Sequence, residues 1–147
     1  MNGKIFTLRN LYQSGTEKLE KAGIREAKLD AWYLLEYKTG ISRAVFLADP
    51  DREVEEEKAE SYQKDICTRA RRIPLQHITG EQEFMGLNFK VNENVLVPRQ
   101  DTEILVEEAL KRIRPDMQIL DMCTGSGCIL ESILTVSYTH LTLPTIR

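Results

Sequence analysis

Apolar side chains in the first seventy residues recur three and four positions apart, the spacing that places them on one face of an α-helix. The pattern predicts an all-α helical bundle. Glycine or proline follows each apolar stripe and predicts where its helix ends. The stripes are Leu8, Leu11, Tyr12, Gly15, Leu19 and Ala22, before Gly23; Ala27, Ala31, Leu34 and Leu35, before Gly40; and Ala59, Tyr62, Ile66 and Ala70, before Pro74.

Two further features of the bundle favour structural roles. The acidic run from Glu53 to Glu57 is typical of a solvated helix N-terminus, where carboxylates complement the helix dipole. Trp32, Tyr33 and Tyr37 are predicted to lie in the bundle core rather than to form a stacking platform. A short turn that begins at Ser42 connects the second helix to the third.

The pattern changes after residue 74, where apolar and polar residues begin to alternate at strand spacing through Leu87, Phe89 and Val91. A β-hairpin that turns near Met85-Gly86 is predicted. A helix is expected to begin near Asp101 or Thr102. Its predicted buried face consists of Leu105, Val106, Ala109, Leu110 and Ile113.

The last predicted elements are a buried strand from Gln118 to Met122 and a helix from about Gly127 through Leu134. Residues 119 to 127 between and within them read Ile-Leu-Asp-Met-Cys-Thr-Gly-Ser-Gly. Gly125 and Gly127 permit positive φ and allow backbone N–H groups to approach a ligand at a helix N-terminus. This order of strand, tight turn and helix indicates a nucleotide-like cofactor, although plain connections use similar turns.

Composition narrows the function classes. The chain has 147 residues, a net charge of −3 and a pI near 5.5, with 41% hydrophobic and 29% charged residues, as in a soluble globular protein. Its acidic balance argues against direct nucleic-acid binding across a broad face, but a local basic patch at Arg69, Arg71 and Arg72 stays open. We expect a cytoplasmic protein, because the sequence has neither a membrane span nor a secretory leader.

The three cysteines do not show the spacing of a metal site or a disulfide framework. Cys123 and Cys128 belong to the glycine-rich turn and the helix after it, and Cys67 lies in a predicted helix. We therefore expect three reduced thiols that serve as small apolar side chains, and no bound metal.

Three sequence blocks carry a resemblance to a known family. They are Arg-Ile-Pro-Leu-Gln-His-Ile-Thr-Gly at 72–80, Glu-Phe-Met-Gly-Leu at 83–87 and Val-Pro-Arg-Gln-Asp-Thr-Glu at 97–103. In order and spacing they closely resemble the N5-glutamine methyltransferases of peptide-chain release factors. The segment from Ile119 to Gly127 is similar to the first S-adenosylmethionine motif of that family. The resemblance covers residues 1 to about 134.

The resemblance implies an all-α bundle that docks release factors, followed by a β-hairpin and a truncated α/β, Rossmann-like methyltransferase domain. The implied boundaries are 1–74 for the bundle, 75–98 for the hairpin linker and 99–135 for the start of the methyltransferase domain. Residues 136–147 are expected to be a non-native tail, because Thr-rich alternation replaces the helical stripe there. A genuine extended strand is the alternative.

The family also implies roles for individual residues. Cys123, Thr124, Gly125, Ser126 and Gly127 would line the methionine and ribose part of S-adenosylmethionine. Asp121 would brace that loop. The family commonly has glycine where this chain has Cys123, and we expect the cysteine to be tolerated if its φ is negative.

Pro98, Arg99, Thr102 and Glu103 match the family's block that borders the substrate cleft. For Arg99 and Glu103, a salt bridge that fixes the start of the helix is as good an explanation as substrate contact. His77 stands where the family usually has an aromatic residue, and we interpret it as a packing residue.

The implied reaction transfers the sulfonium methyl of S-adenosylmethionine to a glutamine amide nitrogen in the Gly-Gly-Gln loop of release factors. The family uses an Asn-Pro-Pro-Tyr motif to hold that nitrogen. None of the five prolines in this chain follows an Asn, so we assign no catalytic residue and expect an inactive fragment. Two alternatives stay open: a DNA or RNA amino-methyltransferase, and a non-catalytic module that binds release factors.

Overall fold

A computed structural model describes residues 5–114 and 117–137. The chain divides into two compact units, Met1–Thr79 and Gly80–Arg147. In the first unit, the described elements are β1 (Phe6–Thr7), α1 (Leu8–Lys21), α2 (Ala27–Thr39), α3 (Arg43–Ala48), β2 (Glu53–Val54), α4 (Glu56–Ala70) and α5 (Leu75–Thr79). In the second, they are β3 (Glu81–Phe84), β4 (Leu87–Lys90), α6 (Gln100–Leu110) and α7 (Cys128–Ser137).

The first unit is the helical bundle that the apolar stripes predict. Helices α1, α2 and α4 pack against one another around one apolar core. The Thr7 hydroxyl accepts a hydrogen bond from Asn10 N–H and so caps the start of α1. The fully buried core side chains include Leu8, Leu19, Leu34, Leu35, Ala59 and Tyr62.

Glycines end the first two helices as predicted. Gly23 and Gly40 have φ values of +72° and +70°, and Gly40 N–H donates to Glu36 O at the end of α2. Helix α4 ends at Ala70, four positions before Pro74, because Arg72 already adopts a left-handed φ of +67°.

Three predictions for the bundle need correction. Glu53 and Val54 pair with Thr7 and Phe6 in an antiparallel strand pair, so only the end of the acidic run enters the helix. These residues are extended rather than helical because the two segments pair with each other while Phe6 and Val54 pack against the core.

The three aromatic residues of α2 are not all buried in the core. Trp32 is buried at 5% exposure, but Tyr33 and Tyr37 are 48% and 50% exposed. The two tyrosines lie four residues apart on the outer face of the helix. The predicted basic patch is reduced as well, because the half-buried Arg69 forms an ion pair of 2.7 Å with Asp30 of α2.

The second unit begins with the predicted hairpin. β3 and β4 are antiparallel, with Glu81 opposite Lys90 and Phe84 opposite Leu87. The two connecting residues, Met85 and Gly86, have φ values of +51° and +75°, as a type I′ turn requires. Phe84 then joins Val106 of α6 and Cys128 and Ile133 of α7 in one buried cluster.

Two predictions for this unit are wrong. Leu105 is 56% exposed and does not belong to the buried face of α6, although Val106 beside it is fully buried. Residues 118–122 do not form a strand. A strand needs a neighbour for its backbone groups, and in the described part of the chain β3 and β4 already pair with each other.

Helix α7 begins at Cys128, as predicted, and continues to Ser137. The predicted non-native tail therefore begins within this helix, and its residues 138–147 lie outside the described part of the chain. None of the described helices is long and apolar enough to cross a membrane.

Candidate functional site

The glycine-rich turn before α7 contains three residues with a left-handed backbone conformation. Cys123, Gly125 and Gly127 have φ values of +62°, +58° and +78°. Gly127 N–H donates to Thr124 O, which closes the turn at 2.9 Å, and Glu131 N–H donates to Gly127 O, which opens α7. The first N–H groups of a helix lack partners within the helix and can therefore bind an acceptor group of a ligand.

Space and solvent access fit such a role. Residues 122–125 are exposed. A β-carbon placed on Gly125 would meet no atom within 4 Å, so the loop leaves open space in front of its backbone. A ligand could therefore approach the main chain of this turn directly.

One side-chain hydrogen bond holds the loop. The Thr124 hydroxyl donates to Asp121 Oδ2 at 2.9 Å and so joins the two ends of a four-residue turn. Asp121 is half-buried, whereas Thr124 is exposed. This contact is the kind expected of a residue that braces the loop.

The conformation of Cys123 corrects an expectation. We expected the cysteine to be tolerated if its φ is negative, and that condition is not met, because φ is +62°, in the left-handed region that favours glycine. A non-glycine residue there costs roughly 1–2 kcal/mol. The cysteine therefore occupies a glycine-like backbone position and its side chain is exposed.

A second group of candidate residues surrounds the start of α6. Pro98 is buried, Arg99 is exposed, and Thr102 N–H donates to Arg99 O at 2.9 Å in the first turn. Arg99 forms no ion pair with Glu103, so the salt bridge that we considered is wrong within the described residues.

Glu103 has a different partner. Its carboxylate accepts a hydrogen bond of 2.9 Å from Met85 N–H, in the turn of the hairpin. Charge-assisted bonds to a backbone N–H are stronger than neutral ones. Glu103 thus fixes the hairpin turn to α6, a role that spacing in the sequence did not reveal.

The glycine-rich loop and the residues at the start of α6 are connected through the packing of α6 against α7. Cys128, directly after the loop, and Val106 of α6 share one apolar cluster, and α6 packs against α7. Among the described residues, hydrogen bonds join neither Arg99 nor Glu103 to the loop. His77 lies in the other unit, on α5; it is half-buried and its Nε2 has no hydrogen-bond partner among the described residues.

Comparison with known proteins shows what the chain is similar to. Residues 10–80 match the family described as the PrmC N-terminal domain. Over 134 residues the chain is 41% identical to a release factor glutamine methyltransferase of Clostridium botulinum. The aligned region covers 90% of this chain and 46% of that protein. A protein of the same name from Geobacter sulfurreducens is 38% identical over 130 residues, 88% of this chain and 46% of its own length.

The chain therefore spans about half the length of the curated relatives that it matches. A third relative with this name, from Moorella thermoacetica, is 40% identical over 129 residues. The resemblance indicated by the sequence blocks is confirmed.

Proposed function

We propose that the whole protein methylates release factors, because residues 10–80 match the PrmC N-terminal domain and the chain is similar to about half the length of release factor glutamine methyltransferases. The acceptor is the side-chain amide of the glutamine in the Gly-Gly-Gln loop. The methyl donor is S-adenosylmethionine. The similarity across 90% of the chain is the observation that carries this proposal.

We propose that residues 99–135 are the start of a Rossmann-like methyltransferase domain. The linker expected at 75–98 is shorter than that, because residues 75–79 form α5 of the first unit and the hairpin strands lie within 81–90. The exposed apolar side chains of the segment before the loop support the start of such a domain, since Leu120 and Met122 are 74% and 77% exposed. Such residues are expected to be covered when residues 118–122 pair as a strand with further strands of a complete domain.

The loop is proposed to hold the cofactor. Cys123, Thr124, Gly125, Ser126 and Gly127 would contact the methionine and ribose part of S-adenosylmethionine, and the bond between Thr124 and Asp121 supports a bracing role for the carboxylate. The open space at Gly125 supports a close approach of cofactor to main chain.

Arg99 is proposed to border the substrate cleft together with Pro98 and Thr102. Its exposed guanidinium, without an ion pair among the described residues, supports a role toward a ligand. Glu103 is better explained as a positioning residue, because its carboxylate already holds the Met85 N–H.

The chemistry requires more than this chain contains. An amide nitrogen is a weak nucleophile because its lone pair is delocalised, so the enzyme must align it with the methyl group and accept its N–H bonds. The Asn-Pro-Pro-Tyr motif that supplies these acceptors in the family is not in this sequence. The chain by itself is therefore proposed to be inactive and to bind release factor through its helical bundle.

The decisive experiment uses the full-length protein with release factor, DNA and labelled S-adenosylmethionine. Label on the Gly-Gly-Gln glutamine supports the proposal. Label on DNA alone would identify an amino-methyltransferase of nucleic acids instead. The 147-residue chain should give no label with either acceptor, and it should still retain release factor in a pull-down.

A further inference from the structure

A cavity of about 220 Å³ lies between α1 and α4, on the other unit from the cofactor loop. Its lining includes Gly15 and Lys18 of α1 and Tyr62 and Cys67 of α4. The volume is several times the roughly 30 Å³ that one water molecule occupies in the liquid. A molecule of a few heavy atoms therefore fits.

The Tyr62 hydroxyl is the first sign that this cavity takes a polar guest. Tyr62 is fully buried, and its hydroxyl has no hydrogen-bond partner among the described residues. Burial raises the pKa of this phenol, so it remains a neutral donor at physiological pH. Buried hydroxyls without partners are rare because they cost free energy, which indicates that a small acceptor completes the site.

The second sign is a close contact between an amine and a thiol. Lys18 Nζ lies 2.8 Å from Cys67 Sγ, across the same cavity, and the two residues are 49 positions apart in the chain. The thiolate is the form of cysteine that reacts with oxidants, and an ammonium group this close can give a proton to the departing peroxide oxygen. Cys67 is partly accessible, so a small reagent can reach it.

We propose that this cavity admits hydrogen peroxide and that oxidation of Cys67 leads to a covalent cross-link with Lys18. The cross-link is a sulfenamide, an S–N bond between the two side chains. It would join α1 to α4 covalently and act as an oxidant-sensitive staple of the helical bundle. Neither the methyl transfer proposed above nor the cofactor loop takes part in it.

The reaction has two balanced steps. Cys67 Sγ attacks one peroxide oxygen; the S–O bond forms, the O–O bond breaks, and the leaving hydroxide takes a proton from the Lys18 ammonium to give water. Sulfur is oxidised by two electrons and peroxide is reduced. The neutral Lys18 amine then attacks the sulfenic sulfur; the S–N bond forms and the sulfenic hydroxyl leaves with an amine proton as a second water.

Tyr62 has a positioning role in this sequence. The departing peroxide oxygen must reach the buried Tyr62 O–H for that group to donate to it, so Tyr62→Phe tests whether the first step depends on this hydroxyl. Cys123 and Cys128 are the internal controls. Cys123 is exposed and Cys128 is buried, and among the described residues a lysine donates to neither sulfur.

The test treats the folded 147-residue chain with hydrogen peroxide, followed by digestion and mass spectrometry. We expect a linked pair of peptides that contain Lys18 and Cys67, with a mass two hydrogens below their sum, reversed by dithiothreitol. The oxidised protein should also melt at a higher temperature, since the link closes a long loop of the unfolded chain. The same treatment in denaturant should give no such pair, because only the fold holds the two atoms together.

Variants separate the steps. Lys18→Arg keeps the positive charge but should abolish the cross-link and leave Cys67 as sulfenic or sulfinic acid. Tyr62→Phe removes only the hydroxyl and should slow oxidation of Cys67 roughly three- to tenfold without changing that of Cys123. Oxidation of Cys67 in the native chain without a link to Lys18, or an equal yield of link in denaturant, would overturn the proposal.

Discussion

Single residues determine how closely the helices of the bundle approach. A β-carbon placed on Gly15 would overlap the Tyr62 hydroxyl oxygen and lie 2.9 Å from Tyr62 Cζ. Glycine is a poor helix former, so its presence inside α1 is explained by this close approach to α4 rather than by propensity.

Gly15→Ala should therefore destabilise the chain, although alanine favours a helix by roughly 1 kcal/mol over glycine. Overpacking costs typically 1–3 kcal/mol, and the severe overlap with the buried Tyr62 side chain places the cost in the upper half of that range, so the net loss should be about 1–2 kcal/mol. Urea unfolding followed by circular dichroism measures it. Gln13→Ala, an exposed site on the same helix, is the matched control and should change little. Equal stability of Gly15→Ala and the native chain would contradict the close contact.

Cys123 is the opposite case, because it has a side chain at a position where the backbone conformation favours glycine. Its φ of +62° predicts that Cys123→Gly relieves roughly 1 kcal/mol of strain, partly offset by the greater freedom of glycine in the unfolded chain. A gain of up to about 1 kcal/mol in the unfolding free energy of the second unit is expected. Met122→Gly, at an exposed neighbour without a positive φ, should give no gain. A loss of stability in Cys123→Gly would show that the thiol makes a contact that outweighs the strain.

At the level of elements, local pattern predicted the main helices and the hairpin well, and the other strands poorly. Stops at Gly23 and Gly40 and the hairpin turn at Met85-Gly86 depend on a few neighbouring residues, and the structure confirms them. The pairing of Glu53–Val54 with Phe6–Thr7 joins segments more than forty residues apart, which no window of sequence contains. The strand expected at 118–122 is missing because a strand forms only with a partner.

The hairpin offers a test of an element held by one side chain. Glu103→Ala removes the acceptor of the Met85 N–H and should destabilise the second unit by about 1–2 kcal/mol. Glu103→Gln retains a neutral acceptor oxygen and should recover part of the loss. Glu107→Ala, exposed on the same helix, serves as the control. Slower hydrogen exchange at Met85 in the native chain than in Glu103→Ala would locate the effect, and identical exchange would refute it.

In the candidate site, too, features set by neighbouring residues were predictable from the sequence, and features set by the three-dimensional fold were not. The order of Asp121, the glycines and the helix start was readable from the sequence. The positive φ of Cys123 and the use of Glu103 by the hairpin were not, since both depend on how the chain turns in space. The resemblance supplied the expected roles, and the structure changed the interpretation of two cleft candidates, since Glu103 accepts from Met85 N–H instead of pairing with Arg99.

For the whole molecule, the first unit carries its own apolar core. Leu8, Leu19, Leu34, Leu35 and Tyr62 bury one another within residues 1–79. A chain of residues 1–79 should therefore give a helical circular dichroism spectrum and a cooperative thermal melt. Residues 1–48, which lack α4, are the control and should not melt cooperatively. A random-coil spectrum for residues 1–79 would mean that the bundle depends on the second unit.

The closed core of the first unit also bears on how the protein is made. Bacterial ribosomes add about 5–20 residues per second, and domains generally fold as they emerge, N-terminal first. Tyr62 and Ile66, the last large residues of the core, are synthesised well before the loop at 121–127. The bundle can therefore fold while later residues of the chain are still being translated. A nascent chain would then present a folded surface to its surroundings before the loop at 121–127 has emerged.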